Sequence, residues 1–311
     1  PYTWMTHHLN GGIPNWGYTH WYKFFNPRQL LIHGSLLSAI LSIGTRYTQG
    51  AIEASLSAFQ QYLQNQSMQC HFDDTRDGLA VVFANANFRP RQQPLENNFS
   101  APMGRGNWTA SALGVIEGMT WAKNPDDTLL DAEGASDKVA MPDGILPGAR
   151  VMCRSSTEPV EPERSFDLVI TDPPFGDNVF YGDLSNYFHV WLRLALRGRY
   201  PEQFGPEYVP RSQEAVSDRS RFPRTDEERG MIAANAAYQG LLTACWTEAG
   251  RVMKDGGILA FTFHHSADEP WMSTLESLFD AGFLLEATYP IRSDETKGEG
   301  GQFGSRKIEY D

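Results

Sequence analysis

Apolar residues recur at helical spacing through the first part of the chain, then fall into the strand, loop and helix alternation of an α/β sheet. Asn26-Pro27 opens the first helix, since Asn is a good N-cap and Pro is favoured at the first helical position. Leu30, Leu31, Leu37, Ile40 and Leu41 continue it. A second helix is predicted over about 51–64, with Ile52, Ser55, Leu56, Phe59, Tyr62 and Leu63 as its stripe. The two read as a hairpin whose role is packing. Residues 1–25, rich in Trp, Tyr, His and Gly, read as an irregular connector or the tail of an upstream domain. Residues 66–110 read as loop, 110–121 as a short helix and 123–148 as a polar linker rich in Gly and Asp.

From Arg150 the texture changes. Strands are predicted over 150–154 and over 166–171 (FDLVIT), the second of them buried. A helix over 183–196 carries Leu184, Tyr187, Phe188, Trp191, Leu192 and Ala195. The Pro- and Arg-rich stretch 198–224 is long for a loop inside a compact domain, which marks it as a functional insertion. Thr225-Asp-Glu-Glu228 has the pattern of a capping box, and the helix it opens carries Leu241, Leu242, Cys245, Trp246, Ala249, Val252 and Met253. Asp255-Gly256-Gly257 stops it. A strand over 258–264, a helix over 270–281 ended by Gly282, and strands over 283–289 and 306–310 complete the pattern. The chain divides into a helical, loop-rich region at 1–148 and an α/β region at 149–311.

Composition narrows the class. Hydrophobic residues make up 41% of the chain, enough for a real core. The apolar stretch 30–43 is interrupted by His33, Gly34 and serines, and is too short and polar to span a bilayer. The three cysteines, Cys70, Cys153 and Cys245, lie far apart, which argues against a disulfide framework and points to a reducing, cytoplasmic compartment. The spacing of His7, His8, Cys70 and His71 supports no metal site. The net charge of −12 leaves no global basic footprint. Between Arg193 and Arg229, however, eight arginines meet seven acidic residues. That window reads either as a phosphate-facing surface or as a solvated, salt-bridged loop. The chain starts at Pro1 and ends inside a strand pattern, and so reads as a fragment of a longer open reading frame.

The sharpest chemical signal is Asp172-Pro173-Pro174-Phe175, directly after the apolar strand 166–171. In open parallel sheets, ligands bind outside the carboxyl ends of strands, where this tetrapeptide falls. An aromatic amine such as adenine N6 is a poor nucleophile because its lone pair is delocalised into the ring. The Asp172 side chain and the Pro173 carbonyl together accept both N–H bonds, drawing the nitrogen toward tetrahedral geometry. Pro174 forces Pro173 into an extended conformation and neither proline has an N–H to compete. Phe175 offers a face on which a base taken out of the duplex can stack.

This tetrapeptide resembles the motif of amino-methyltransferases that modify N6 of adenine or N4 of cytosine. A closer resemblance, to the large bacterial and archaeal adenine-specific DNA methylases, some of which carry a zinc ribbon, rests on separated stretches. They are Phe25-Asn-Pro-Arg-Gln-Leu-Leu31, Gly106-Asn-Trp108, Thr171-Asp-Pro-Pro-Phe175, Tyr181-Gly-Asp-Leu-Ser185, Phe188-His-Val-Trp-Leu192 and Phe261-Thr-Phe-His-His265. The resemblance implies a Rossmann-like sheet, here without its first strands. It further implies S-adenosylmethionine as methyl donor, a flipped adenine in DNA as substrate, and partners in a restriction or phage-defence assembly. RNA, a protein glutamine or a non-catalytic role in such an assembly are the alternatives. The chain departs from the family in lacking its Phe-x-Gly-x-Gly loop, of which Gly104-Arg-Gly106 is the nearest match, in lacking the zinc ribbon, and in having Phe175 where Tyr is commoner.

Further site residues follow from position. Ser155 and Ser156, after the strand at 150–154, are placed to meet the cofactor's adenine, or form a strand-end turn. Asp172 faces the cofactor as well as the amine. Tyr181 and Asp183 lie on the stretch that must line the same pocket as Phe175, although Asp183 is equally placed to cap the helix behind it. His264 and His265 end a strand beside the motif strand, which suggests substrate contact for His264 or a structural role for both.

Overall fold

The computed structural model describes residues 13–73, 78–83, 95–101, 103–130, 136–140, 149–222 and 226–290. The predicted strand at 306–310, residue Thr225, and His7 and His8 lie outside these. In chain order the elements are α1 (Pro27–Ser42), α2 (Gln49–Leu63), β1 (His71–Asp73), β2 (Gly78–Ala80) and α3 (Trp108–Lys123), then β3 (Asp126–Leu130) and β4 (Ser136–Ala140). There follow β5 (Phe166–Thr171), α4 (Tyr181–Leu196), α5 (Pro201–Phe204), α6 (Glu227–Val252), β6 (Met253–Phe261) and α7 (Asp268–Asp280). The fold is a mixture of helices and small open sheets. No helix among the described residues is long and apolar enough to cross a membrane.

Helix α1 begins as its sequence dictates. Asn26 accepts from the Gln29 backbone N–H while the Gln29 side chain accepts from the Asn26 N–H, a reciprocal capping box ahead of Pro27. Its buried face meets α2 and α4 in an aromatic core. Phe25 stacks on Tyr187 at 5.7 Å and meets Trp191 edge-on at 5.4 Å, and the Tyr187 hydroxyl donates to Leu63 O at 2.8 Å. Two expectations are corrected by this core. The described part of 1–25 is no loose connector, because Ile13, Trp21 and Phe24 are buried in the core with Phe25. A division at 148/149 does not separate the cores either, since α4 buries Tyr187, Val190, Trp191 and Leu192 against the N-terminal helices.

His33 is the polar centre of this core. It is 1% exposed; its Nε2 donates to Gln66 O and its Nδ1 accepts from the Tyr62 hydroxyl. Burial lowers its pKa from 6.5 to about 4 against the opposing pull of the Gln66 carbonyl. The folded state therefore favours the neutral ring. The stability this confers is whole above pH 6.5 and drains away as pH falls toward 4. Between pH 7 and pH 5, above the range of ordinary carboxylates, about 2 kcal/mol of unfolding free energy should be lost through this group. Burial also lowers His189, so the measurement is the difference in urea-unfolding profiles between wild type and His33→Gln. The variant is expected to show the flatter profile.

The other core lies behind β5 and β6. These strands are parallel, with Val169 opposite Leu259 and Thr171 opposite Phe261, and the chain between them crosses over through α4, α5 and α6. Tyr238, Leu242 and Trp246 of α6 pack with Leu278 of α7 against Leu259 and Phe261. The opposite face of the pair is bare. Leu168 is 49%, Ile170 72% and Ile258 60% exposed, whereas parallel sheets are ordinarily covered on both faces.

Local chemistry sets several boundaries. Asp226 caps α6 through the Arg229 N–H. The Gly256 step expected to stop α6 before a strand instead lies within β6, at positive φ, where the register with β5 shifts. Gly282 closes α7 with φ +88°, its N–H on Phe279 O and the next N–H, of Phe283, on Leu278 O. Residues 150–154 form no strand: Val151 is fully exposed and Arg150 is paired with Glu161. Residues 283–289 also find no strand partner among the described residues. The stretch read as a linker holds an antiparallel hairpin, β3 with β4, and β1 pairs with β2 in the region read as loop.

Candidate amine-binding corner

Strand β5 delivers Asp172 to the carboxyl end of the parallel pair, where the Thr262 N–H bonds to Thr171 O at 3.3 Å and holds the two strand ends together. Asp172 is exposed and forms no ion pair among the described residues. Its Oδ1 accepts from the Thr262 hydroxyl, which leaves Oδ2 for another donor. Pro173 is buried and Pro174 half-buried.

The two proline carbonyls differ. Pro174 O accepts from the Tyr238 hydroxyl at 2.8 Å and from the Gly176 N–H at 3.2 Å, so both of its lone pairs are used. Pro173 O receives no hydrogen bond among the described residues. Gly176 completes the turn. Its φ is +61°, and a Cβ there would lie 2.9 Å from Pro270 Cγ, so the position requires glycine on both counts. The Ser217 N–H then bonds to Gly176 O at 3.1 Å.

Phe175 is half-buried at the head of an aromatic row. Its ring is 5.2 Å from Phe263, and Phe263 is 4.7 Å from Trp271, both contacts edge-on. Tyr181, the first residue of α4, is 49% exposed. Burial raises its phenol above the ordinary value, and the carboxylates of Asp172 and Glu214 add to the shift. The phenol is thus a protonated donor in the electrostatic neighbourhood of Asp172.

The structure brings together Asp172, Pro173, Pro174, Phe175 and Tyr181. Other expected residues stand apart. Asp183 is 1% exposed and pairs with Arg211 at 3.6 Å, so its assignment to substrate is corrected: it is an interior residue in the first turn of α4, where a negative charge also suits the helix dipole. Ser155 and Ser156 do not follow a strand. The Ser155 hydroxyl bonds to the Thr157 hydroxyl and accepts from the Thr157 N–H within a turn, and no hydrogen bond among the described residues joins either serine to the corner. His264 is exposed just past β6, next to Phe263, without a hydrogen bond to the corner. His265 is structural: it accepts from the Ala267 N–H, faces Asp177, and its carbonyl takes the Trp271 indole N–H.

The described part of the stretch 198–224, residues 198–222, is a folded strap. Arg211 lies between Asp183 and Asp218, and Glu214 accepts from the Gly182 N–H at 2.9 Å. Burial raises the Glu214 carboxyl, opposed by that N–H and by Arg211. The Val209 N–H bonds to the Asn186 side chain. Arg193 donates to Gly205 O, Arg219 to Phe222 O and Asp226 O, and Arg221 to Glu214 O and Ser212 O, while Arg199 pairs with Glu53. These guanidiniums are engaged with the protein itself, which is the salt-bridged alternative rather than a phosphate-facing surface. Two contributors escaped sequence reasoning. Thr262 lies inside the quoted stretch 261–265, and Tyr238 sits one turn before Leu242, where extending the stripe backward reaches it.

Compared with protein-family models, with curated proteins and with solved structures, the chain finds no match.

Proposed function

We propose that this chain grips the exocyclic amine of an adenine drawn out of DNA, for methylation at N6 by an S-adenosylmethionine-dependent amino-methyltransferase with a Rossmann-like sheet. The observation that carries the reading is the uncommitted carboxylate oxygen at the end of β5, Asp172 Oδ2, left over by Thr262, next in sequence to a Pro173 carbonyl that receives no hydrogen bond among the described residues. Two acceptors on one nitrogen direct both N–H bonds and release the lone pair from the ring. Phe175 supplies a stacking face, worth about 1–3 kcal/mol per base. Tyr181 carries a protonated phenol in the electrostatic neighbourhood of that carboxylate. Positioning is the main contribution such a site makes to methyl transfer.

The donor side is not met by the described residues. The Ser155 hydroxyl is committed to its own turn, and Ser156 is exposed in that turn. Gly104 and Gly106 both have positive φ but follow no strand, and a Cβ on Gly106 would lie 2.2 Å from the Asn65 side chain, a packing reason for that glycine. The chemistry derived above is confined to holding the amine.

Transfer from labelled S-adenosylmethionine tests the reading, with duplex DNA, RNA and glutamine-containing peptides as parallel acceptors. Digested DNA is expected to yield labelled N6-methyldeoxyadenosine. Label only in RNA or peptide would move the substrate class, and label in none would contradict the proposal.

A further inference from the structure

We infer that Thr262 is a positioning residue, whose hydroxyl holds the Asp172 side chain in one rotamer before any amine arrives. The inference rests on the amine-holding reading for its purpose, but on the geometry of the two strand ends for its substance. Strands β5 and β6 are in register as far as Thr171 and Phe261, and continuing that register by one residue brings Thr262 level with Asp172. The main chain of Thr262 is anchored on every side. Its N–H bonds to Thr171 O at 3.3 Å. Phe261 before it lies 5.5 Å from Trp246 in the α6 core, and Phe263 after it is 5.2 Å from Phe175 and 4.7 Å from Trp271. The hydroxyl is thus presented from a fixed base, on a side chain that is stiff at χ1 because it branches at Cβ.

Asp172 has little else to hold it. Its side chain is exposed, and the bond from the Thr262 hydroxyl to Oδ1 is the one hydrogen bond it makes among the described residues. The direction of that bond is unambiguous, since an ionised carboxylate only accepts and the hydroxyl has a single proton to give. An exposed aspartate without such a partner samples several staggered rotamers, and each binding event would have to freeze it, at a cost in entropy. With the bond in place the carboxylate is set in advance, and Oδ2 is the oxygen that stays available. The residue acts through Asp172 and needs no contact with substrate of its own.

The test compares the chain as wild type, Thr262→Val and Thr262→Ser, binding a single-stranded oligonucleotide with one adenine against the same strand with purine, which lacks the 6-amino group. Valine keeps the shape and the main-chain bond to Thr171 but has no hydroxyl; serine keeps the hydroxyl. Wild type is expected to prefer adenine by at least about tenfold. Thr262→Val should reduce that preference by about five- to tenfold, while purine affinity stays put. Thr262→Ser should keep it within about threefold of wild type. A readout that needs no substrate is the set of NMR scalar couplings about the Asp172 Cα–Cβ bond. Single-rotamer couplings are expected in wild type and Thr262→Ser, and rotamer-averaged couplings in Thr262→Val. Preference retained in Thr262→Val, equal losses in the two variants, or single-rotamer couplings in Thr262→Val would each overturn the inference. If wild type itself does not discriminate adenine from purine, the functional reading fails. In that case the couplings alone decide the positioning, with averaging in Thr262→Val upholding it and a single rotamer refuting it.

Discussion

Replacing Asp172 by alanine is expected to reduce methyl transfer to adenine by at least about a hundredfold, the scale on which loss of a preorganised hydrogen-bond partner or a misplaced reacting group acts. The reasoning follows from the division of labour around the carboxylate. Thr262 takes Oδ1, and Oδ2 is the carboxylate oxygen left uncommitted just past the carboxyl end of β5. Alanine removes that acceptor and leaves the nucleophile's lone pair in the ring. Asparagine has an oxygen that can take the same place, so Asp172→Asn should fall by only about tenfold, well short of the alanine variant. Because Asp172 is exposed and without an ion pair among the described residues, both variants should unfold at the wild-type denaturant midpoint. Equal labelling of DNA by wild type and Asp172→Ala would show that the assigned role is wrong.

The second large effect belongs to stability. Arg211→Met should cost about 3–5 kcal/mol of unfolding free energy, since removing one member of a buried ionic cluster leaves its partners charged in a poorly solvated place. Arg211 faces Asp183 at 3.6 Å and bonds to Asp218, and the side chains of these two acids are 1% and 5% exposed. Lysine should rescue only in part, because a point charge cannot serve two carboxylates as a guanidinium fork does. Urea unfolding measures the loss. The strap also carries Ser217, whose N–H holds Gly176 O, so the variant should loosen the corner as well. A change below about 1 kcal/mol, the range of exposed pairs, would mean that the cluster is solvated instead.

Legibility from sequence tracked how local the deciding interaction was. The α1 start was readable because Asn26, Pro27 and Gln29 satisfy each other within one turn. The end of α7 was readable because Gly282 alone supplies the left-handed residue its closing bonds require. Phe166–Thr171 was readable as a strand from residue type and order. What escaped depended on distant partners. Val151 and its neighbours have strand-like composition, but no strand among the described residues pairs with them. Asp183 resembled a pocket residue until Arg211 from the strap claimed it. The arginine-rich window 193–229 read equally as a phosphate-facing surface or a salt-bridged loop, and the carbonyl partners of Arg193, Arg219 and Arg221 favour the second. Tyr238 could be placed on the α6 stripe, but its bond to Pro174 crosses from helix to corner and no local pattern announces it.

A titration of the chain into an oligonucleotide whose one adenine carries a 15N-labelled amino group, followed by NMR, tests the central claim most directly. Both amino protons should slow in exchange with water and the nitrogen signal should shift as the complex saturates, with the effect lost in Asp172→Ala. Amino signals that stay at their free positions and exchange rates in a saturated complex would contradict the account.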